Sequence, residues 1–392
     1  MADDLILRNA HVIDPSQDIN RIVDIHVRNG TIAGLGESLP APAGAREKDL
    51  SGCFLSPGLI DLHGHWYEGS SFGINPDLCL QHGATTVVDA GTTGFVNFPE
   101  FRATRMAKTR IEVLAFVNVA ALGIPTAWMG ELEDLRFARP KETIEIIEEN
   151  SDVAVGVKVR MRSGHSHAAF GLALEAAEAT HVPLMVHIGP TAQTADILRR
   201  LRPGDVLTHC FEGRGDGILD GGNLLPEALQ ARKEGVVFDV GHGCGSFSWA
   251  TARKAFELFF YPDTISTDLH RYSVERWAFD MPTIMTKFLH LGMSLEEIIL
   301  KSTWMPAKVL KREHQIGTLK AGTVADLFVF SLEEGEFPLE DTHMKIETAS
   351  RRIKPRFTLK AGEITEAEHI PNLLRKLRGP DYDVFKFLHE TA

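Results

Sequence analysis

Gly58-Leu59-Ile60-Asp61-Leu62-His63-Gly64-His65 is the stretch from which the rest of the chain is read. Leu59, Ile60 and Leu62 make a short apolar run entered through Pro57-Gly58, which predicts a buried strand leaving a turn. His63 and His65 are two residues apart. In extended backbone they point to the same side, so one metal ion can take both imidazoles. Gly64 between them lets the backbone bend at the strand end. An isolated His-x-His is as readily two unrelated histidines, so the remaining chain has to decide.

Downstream of this stretch, short apolar runs alternate with segments of helical period. The expected strands are 58–63, 85–90, 112–118, 153–159, 183–188, 205–209, 236–240 and 263–268. The segment 169–180 is typical of what separates them, with Ala and Leu on one face and Glu175 and Glu178 on the other. Eight strand-helix units predict a closed parallel (β/α)8 TIM barrel. An open doubly wound sheet is the alternative, but the glycine-rich phosphate turn usual after its first strand is absent. Helical stretches follow at about 281–291 and 294–310.

Both ends of the chain have β character instead. Residues 5–14, 21–28 and 31–36 read as strands, with an Asn29-Gly30 hairpin turn between the last two. Residues 316–330 and 353–362 return to the same pattern. The expected organisation is a small discontinuous β-sandwich built by residues 1–57 and 312–365, the barrel at 58–311 inserted within it, and a C-terminal tail at 366–392. His11 and His26 sit in terminal strands and read as structural.

At 392 residues, 44% hydrophobic and 24% charged, the chain has the make-up of a soluble globular protein. A net charge of -12 with no block of Lys or Arg argues against a nucleic-acid or anionic-membrane surface. The acidic N-terminus lacks an apolar signal core, and no run is long enough to cross a bilayer. The four cysteines, Cys53, Cys79, Cys210 and Cys244, are too widely spaced for a disulfide framework or a zinc ribbon, so a reducing cytoplasm is the expected setting.

The chemistry is legible in where the polar residues fall. His63 and His65 close the first expected barrel strand, Lys158 the fourth, His187 the fifth, His209 the sixth and Asp268 the eighth. In a barrel, these strand ends line one mouth. Imidazoles and carboxylates suit Zn²⁺ and similar ions, and two adjacent ions can share a bridging hydroxide that is nucleophilic at neutral pH. Lys158, between Val157 and Val159, is an expensive place for an ammonium. It is either salt-bridged or carboxylated on N6 to a carbamate, which can bridge two metals. Asp268 can take the hydroxide proton and pass it to a leaving group.

Pro57 to His65, then Lys158, His187, His209 and Asp268 in that order, together resemble the amidohydrolase superfamily across essentially the whole chain. Asn75-Pro76 to Gly91 is similar to its second strand region, and Gly317 to Leu327 to its closing segment. The resemblance implies that His63, His65 and Asp268 hold one metal and His187 and His209 the other. It further implies that carboxylated Lys158 bridges two divalent ions and that these are zinc. Dihydroorotases of this superfamily carry an Arg right after His-x-His, where this chain has Trp66-Tyr67-Glu68. The chain looks more like the dihydroorotase-like and D-aminoacylase-like deacetylases, which implies hydrolysis of acetylated α-hydroxy or α-amino acids such as mandelate-type esters.

A small-molecule substrate with a carboxylate needs a cation in the mouth. Arg160, two residues after Lys158, is the first candidate, with Arg162 and Arg214 on loops behind it. His242, in Gly241-His242-Gly243, is the expected donor to the scissile carbonyl, and Trp66 and Tyr67 could line an apolar pocket. Each of these has a structural alternative: an ion pair, a loop histidine, packing under a loop. Two rival functions stay open, a cyclic amidase acting on dihydropyrimidines or hydantoins and a non-catalytic homologue. A homo-oligomer is compatible with either.

Overall fold

A computed structural model describes residues 4–126, 130–161, 166–190, 192–215 and 217–368. Arg162 and the tail beyond Glu368 lie outside the described residues. The N-terminal strands are β1 (Asp4–Asp14), β2 (Ile19–Arg28), β3 (Thr31–Gly36), β4 (Arg46–Asp49) and β5 (Phe54–Pro57). Then come the barrel strands β6 (Leu59–Gly64), β7 (Ala84–Gly94), β8 (Glu112–Asn118), β9 (Ala154–Arg160), β10 (Leu184–His187) and β11 (Val206–Thr208). A two-stranded hairpin, β12 (Leu219–Asp220) and β13 (Asn223–Leu224), precedes the seventh barrel strand β14 (Val237–Asp239). The chain ends in β15 (Leu327–Glu340), β16 (Ile346–Lys360) and β17 (Glu363–Glu366).

The barrel sheet runs in sequence order from β6 to β11 and on to β14, every pair parallel. The eighth position forms no ladder. Residues 264–269 cross the gap, with single parallel bridges from Thr264 to Asp239 on one side and from Leu269 to Gly64 on the other. The expected strand at 263–268 is therefore present as a position without regular pairing. Backbone bonds join it to β14 and the turn beyond, from the Val240 N–H to Thr264 O at 3.2 Å and the His242 N–H to Ser266 O at 3.3 Å, and at the mouth the Asp268 N–H donates to His63 O at 2.7 Å and the His65 N–H to Leu269 O at 2.9 Å. This closes the TIM-type barrel where the expected ligands lie.

Alternation along the strands divides inside from outside. Ile60, Leu62, Val88, Leu114, Phe116 and Met185 fill the interior, while Ala307, Leu310 and Ile316 seal the floor. Leu59, Val87, Val113 and Val157 face the surrounding helices. All of β6, β7 and β9 is buried, so a charged residue at an inward position must be compensated from within.

The terminal strands form one sheet in the order β17-β16-β15-β5-β1-β2-β3, with β4 on β1 and its own core around Leu7, Val12, Leu55 and Val329. Strands from both termini build it, as expected. Its long β15–β16 arm leans on the barrel, where the Ile353 N–H donates to Thr286 Oγ1 at 3.0 Å. Among the described residues no helix is long and apolar enough to cross a membrane.

Gly156 shows how tightly the interior is filled. A Cβ there would stand 2.2 Å from the buried Phe116 ring and 2.8 Å from Pro183 O. Gly156→Ala is therefore expected to lower stability by about 1–3 kcal/mol, read as a shift of the urea midpoint at unchanged slope. An unshifted midpoint would show that strand β9 can move outward freely.

Candidate metal centre

Barrel closure brings His63, His65 and Asp268 to one point. One atom from each lies within 4.8 Å of the others, and all three residues are buried. His65 Nε2 is 3.1 Å and His63 Nε2 3.4 Å from Asp268 Oδ1. That oxygen is enclosed and accepts no hydrogen bond. A buried carboxylate oxygen left bare between two ring nitrogens is costly, and a cation is the simplest group to satisfy it.

The tautomers fit the same conclusion. His63 Nδ1 is 2.7 Å from Thr208 Oγ1, whose hydroxyl donates to Asp239 Oδ2 at 2.7 Å. The threonine proton is thus committed, Nδ1 carries the ring proton, and Nε2 turns its lone pair to the centre. His65 repeats the device, with Nδ1 2.7 Å from Thr92 Oγ1 and Thr92 bonded in turn to Asp89. His209 Nδ1 donates to Gly241 O at 2.6 Å, which frees its Nε2. That Nε2 meets His187 Nδ1 at 2.7 Å. Carboxylate and carbonyl partners behind ligating imidazoles raise their basicity and fix their aim.

Burial sets the electrostatics. It pulls His65 down to about 3 and His209 to about 4, and holds His63 and His187 well below the usual histidine range, so all four rings are neutral donors. It also pushes Asp239 and Asp89 upward, and Asp61 to about 7, against the hydroxyl and amide hydrogen bonds each accepts. Lys158 is fully buried and falls to about 8. Its Nζ lies 3.5 Å from His63 Nε2 and 3.7 Å from Met185 Sδ. Among the described residues no carboxylate pairs with it directly, while the charges of Asp268, Asp239 and Asp89 act on it from farther off.

Two of these residues hold strained backbone. His209 (φ 69°) and Asp268 (φ 49°) lie in the left-handed region, which costs a non-glycine residue on the order of 1–3 kcal/mol. Each strand end kinks there and turns its side chain into the mouth.

The expected substrate contacts are placed differently. Arg160 is buried, and its fork is filled by Glu131, with Nε to Oε1 at 2.8 Å and Nη2 to Oε2 at 2.5 Å. Its charge is answered from within rather than left for a ligand. His242 has both nitrogens engaged: Lys287 Nζ lies 2.7 Å from Nε2, and Nδ1 is 2.9 Å from Gly243 O. It is no free donor to a carbonyl. Arg214 pairs with Glu212 at 3.1 Å, and the Tyr67 hydroxyl with Glu100. Trp66 is fully buried. His270 was not singled out from the sequence. Its Nδ1 accepts the Tyr272 N–H at 3.1 Å, which leaves an Nε2–H beside the His65 ring, 5.9 Å between centroids. Asp239, Asp89, Thr208 and Thr92 were also missed, since each acts across strands on a partner that only folding supplies.

Comparison with known proteins adds a second line. The profile of the amidohydrolase family matches residues 54–365. A deacetylase of Brucella anthropi is 34% identical over 365 residues, covering 90% of each chain. A deacetylase of Agrobacterium fabrum is 35% identical over 364 residues, covering 89% of this chain and 88% of that one. A crystal structure described as a dihydroorotase superposes with a TM-score of 0.87 at 32% identity, covering 93% of this chain and 99% of that one. One described as an adenine deaminase gives 0.86 at 32% identity, covering 93% and 100%.

Thr208→Val keeps the shape of the side chain and removes the hydroxyl between His63 and Asp239. Zinc affinity is expected to fall roughly 10- to 100-fold, measured by competition with a chromophoric chelator. Unaltered affinity would detach the Thr208–Asp239 pair from metal binding.

Proposed function

The chain belongs to the amidohydrolase family, and we propose that it is a metal-dependent hydrolase that removes an acetyl group from an acetylated α-hydroxy or α-amino acid. The convergence of His63, His65 and the bare Asp268 oxygen carries this reading. His63, His65 and Asp268 would hold one divalent ion, His187 and His209 the other, with N6-carboxylated Lys158 between them and zinc as the metal. When bound, such ions polarise a carbonyl and acidify water.

The chain's own residues supply the rest. The Thr208–Asp239 and Thr92–Asp89 pairs keep the two imidazoles of the first site aimed with their lone pairs inward. Asp268 is the acid-base group: it takes the proton of the attacking water and returns it to the leaving oxygen or nitrogen. Burial of Lys158 lowers its pKa to about 8. The neutral amine that CO₂ requires is therefore well populated above that pH and scarce well below it. The barrel walls exclude bulk water, so these few groups act in a low dielectric.

The deacetylases named above support the acetyl assignment, because the alignment spans nearly all of each protein. A second reading, hydrolysis of a cyclic amide, draws support from the 32%-identical structure described as a dihydroorotase. Against it stands Trp66, in the place where the resemblance to dihydroorotases calls for Arg.

Acetate release from N-acetyl and O-acetyl α-substituted acids of both hands, with zinc-loaded protein, separates the two. Release from one hand is the expected result. Silence across that panel, together with ring opening of a dihydropyrimidine or hydantoin, would replace the first reading by the second. Asp268→Asn is expected to lose at least ~100-fold in kcat while keeping most of its zinc, read by turnover and metal analysis. A variant nearly as active as the wild type would remove Asp268 from proton transfer.

A further inference from the structure

Lys287 is fully buried, and burial pulls its amine down to about 7. It stands on the helix Met281–His290 and has three acceptors: His242 Nε2 at 2.7 Å, Trp277 O at 2.9 Å and Glu340 O at 2.6 Å. Three donors matched to three acceptors is the full capacity of a lysine. The three acceptors belong to three different parts of the fold. His242 is on the turn after barrel strand β14, Trp277 on the loop after the eighth barrel position, and Glu340 ends the long arm strand β15 of the terminal sheet.

The turn that receives this bond is the one that shapes the metal centre. Because Gly243 O, 2.9 Å from Nδ1, can only accept, the His242 ring proton sits on Nδ1 and Nε2 accepts from Lys287 at 2.7 Å. The ring also stacks on Phe247, 4.6 Å between centroids at 19°. On one side of His242, Gly241 O fixes the His209 tautomer at 2.6 Å. On the other, Gly243 lies so close to Asp268 that a Cβ there would stand 2.3 Å from Oδ2. Gly241 and Gly243 both have positive φ, 46° and 55°, so the turn takes its shape from what grips it.

We propose that Lys287 is a positioning residue that acts through His242, locking the Gly241–Gly243 turn against His209 and Asp268 and coupling the metal centre to the β15–β16 arm of the terminal sheet. Coupling of this kind is reciprocal. Metal at the centre must steady the arm, and loss of the tie must loosen the grip on His209 and Asp268. This rests on the metal-dependent hydrolase reading for its turnover arm, and on metal binding alone for its exchange arm.

Two variants test it. Lys287→Met keeps length and removes the charge; His242→Phe keeps the stack on Phe247 and removes the acceptor. Amide hydrogen exchange of Leu327–Glu340 is compared in full-length protein with and without zinc. In the wild type, zinc is expected to slow exchange in this strand at least fivefold, and in either variant that zinc-dependent slowing is lost. In turnover of the acetylated acid, each variant is expected to lose roughly 10- to 100-fold in kcat with KM within threefold, and the double variant to be no worse than the poorer single one.

Zinc-dependent protection that survives in His242→Phe would overturn the coupling, even where Lys287→Met does not fold. Multiplied losses in the double variant would make Lys287 an independent structural cap and equally overturn it. Wild-type protein that binds zinc, shows the exchange effect and hydrolyses nothing would leave the coupling standing and overturn the hydrolase reading instead. Wild-type protein that binds no zinc would overturn both.

Discussion

The structure turns on one convergence: two histidine Nε2 atoms and a bare aspartate oxygen are forced together inside a buried barrel mouth. That oxygen has no hydrogen-bond donor, and burial holds the His63 and His65 rings neutral. Several kinds of structural expense are laid out around this point. His209 and Asp268 hold left-handed backbone, and Asp89 and Asp239 are buried behind His65 and His63 through Thr92 and Thr208. Asp239 also ties β11 and the eighth barrel position to β14 by accepting from Thr208, Thr264 and Ser266. These arrangements become intelligible together as the scaffold of a cation site, where strain and burial are tolerated because they aim donors.

The barrel supplies that aim through its own geometry. Inward positions recur every second residue, so Gly156, Lys158 and Arg160 rise along one inner line of β9 toward the mouth. Gly91 stands beside Lys158, where a Cβ would come within 2.6 Å of its Cγ, so the absence of a side chain makes room for the lysine stem. Closure without a regular eighth strand has a similar sense. Asp268 needs a kinked backbone to enter the mouth, and a continuous ladder would hold it in extended conformation. Single bridges, the backbone bonds from β14 and its turn, and the Thr267–Asp61 pair tie the segment on both sides while Asp268 keeps its kink.

Much of this could be read from the sequence, and the parts that could not share a physical cause. Apolar runs disclosed the strands because burial on both faces leaves a compositional mark. The histidines at their ends stood out because a polar residue closing such a run is unusual. Thr208 and Asp239 left no such mark: a threonine and an aspartate are ordinary near strand ends, and their meaning arises only when neighbouring strands bring them to His63. Glu131 is 29 residues from Arg160, on a loop whose path no periodicity fixes, so the sequence could show the guanidinium but not its partner. The same holds for His242, which looks like a free mouth histidine until Lys287, 45 positions on, is folded against it.

The Arg160–Glu131 pair bears on how an anionic substrate would be held. A bidentate pair in a buried mouth carries no net charge outward, and separating it would strand two ions in low dielectric, a loss of about 3–5 kcal/mol when one partner is removed. A substrate carboxylate would therefore have to outbid Glu131, which already has the ideal fork geometry. Arg160 with Glu131 is therefore a rigid neutral wall that shapes the mouth beside Lys158.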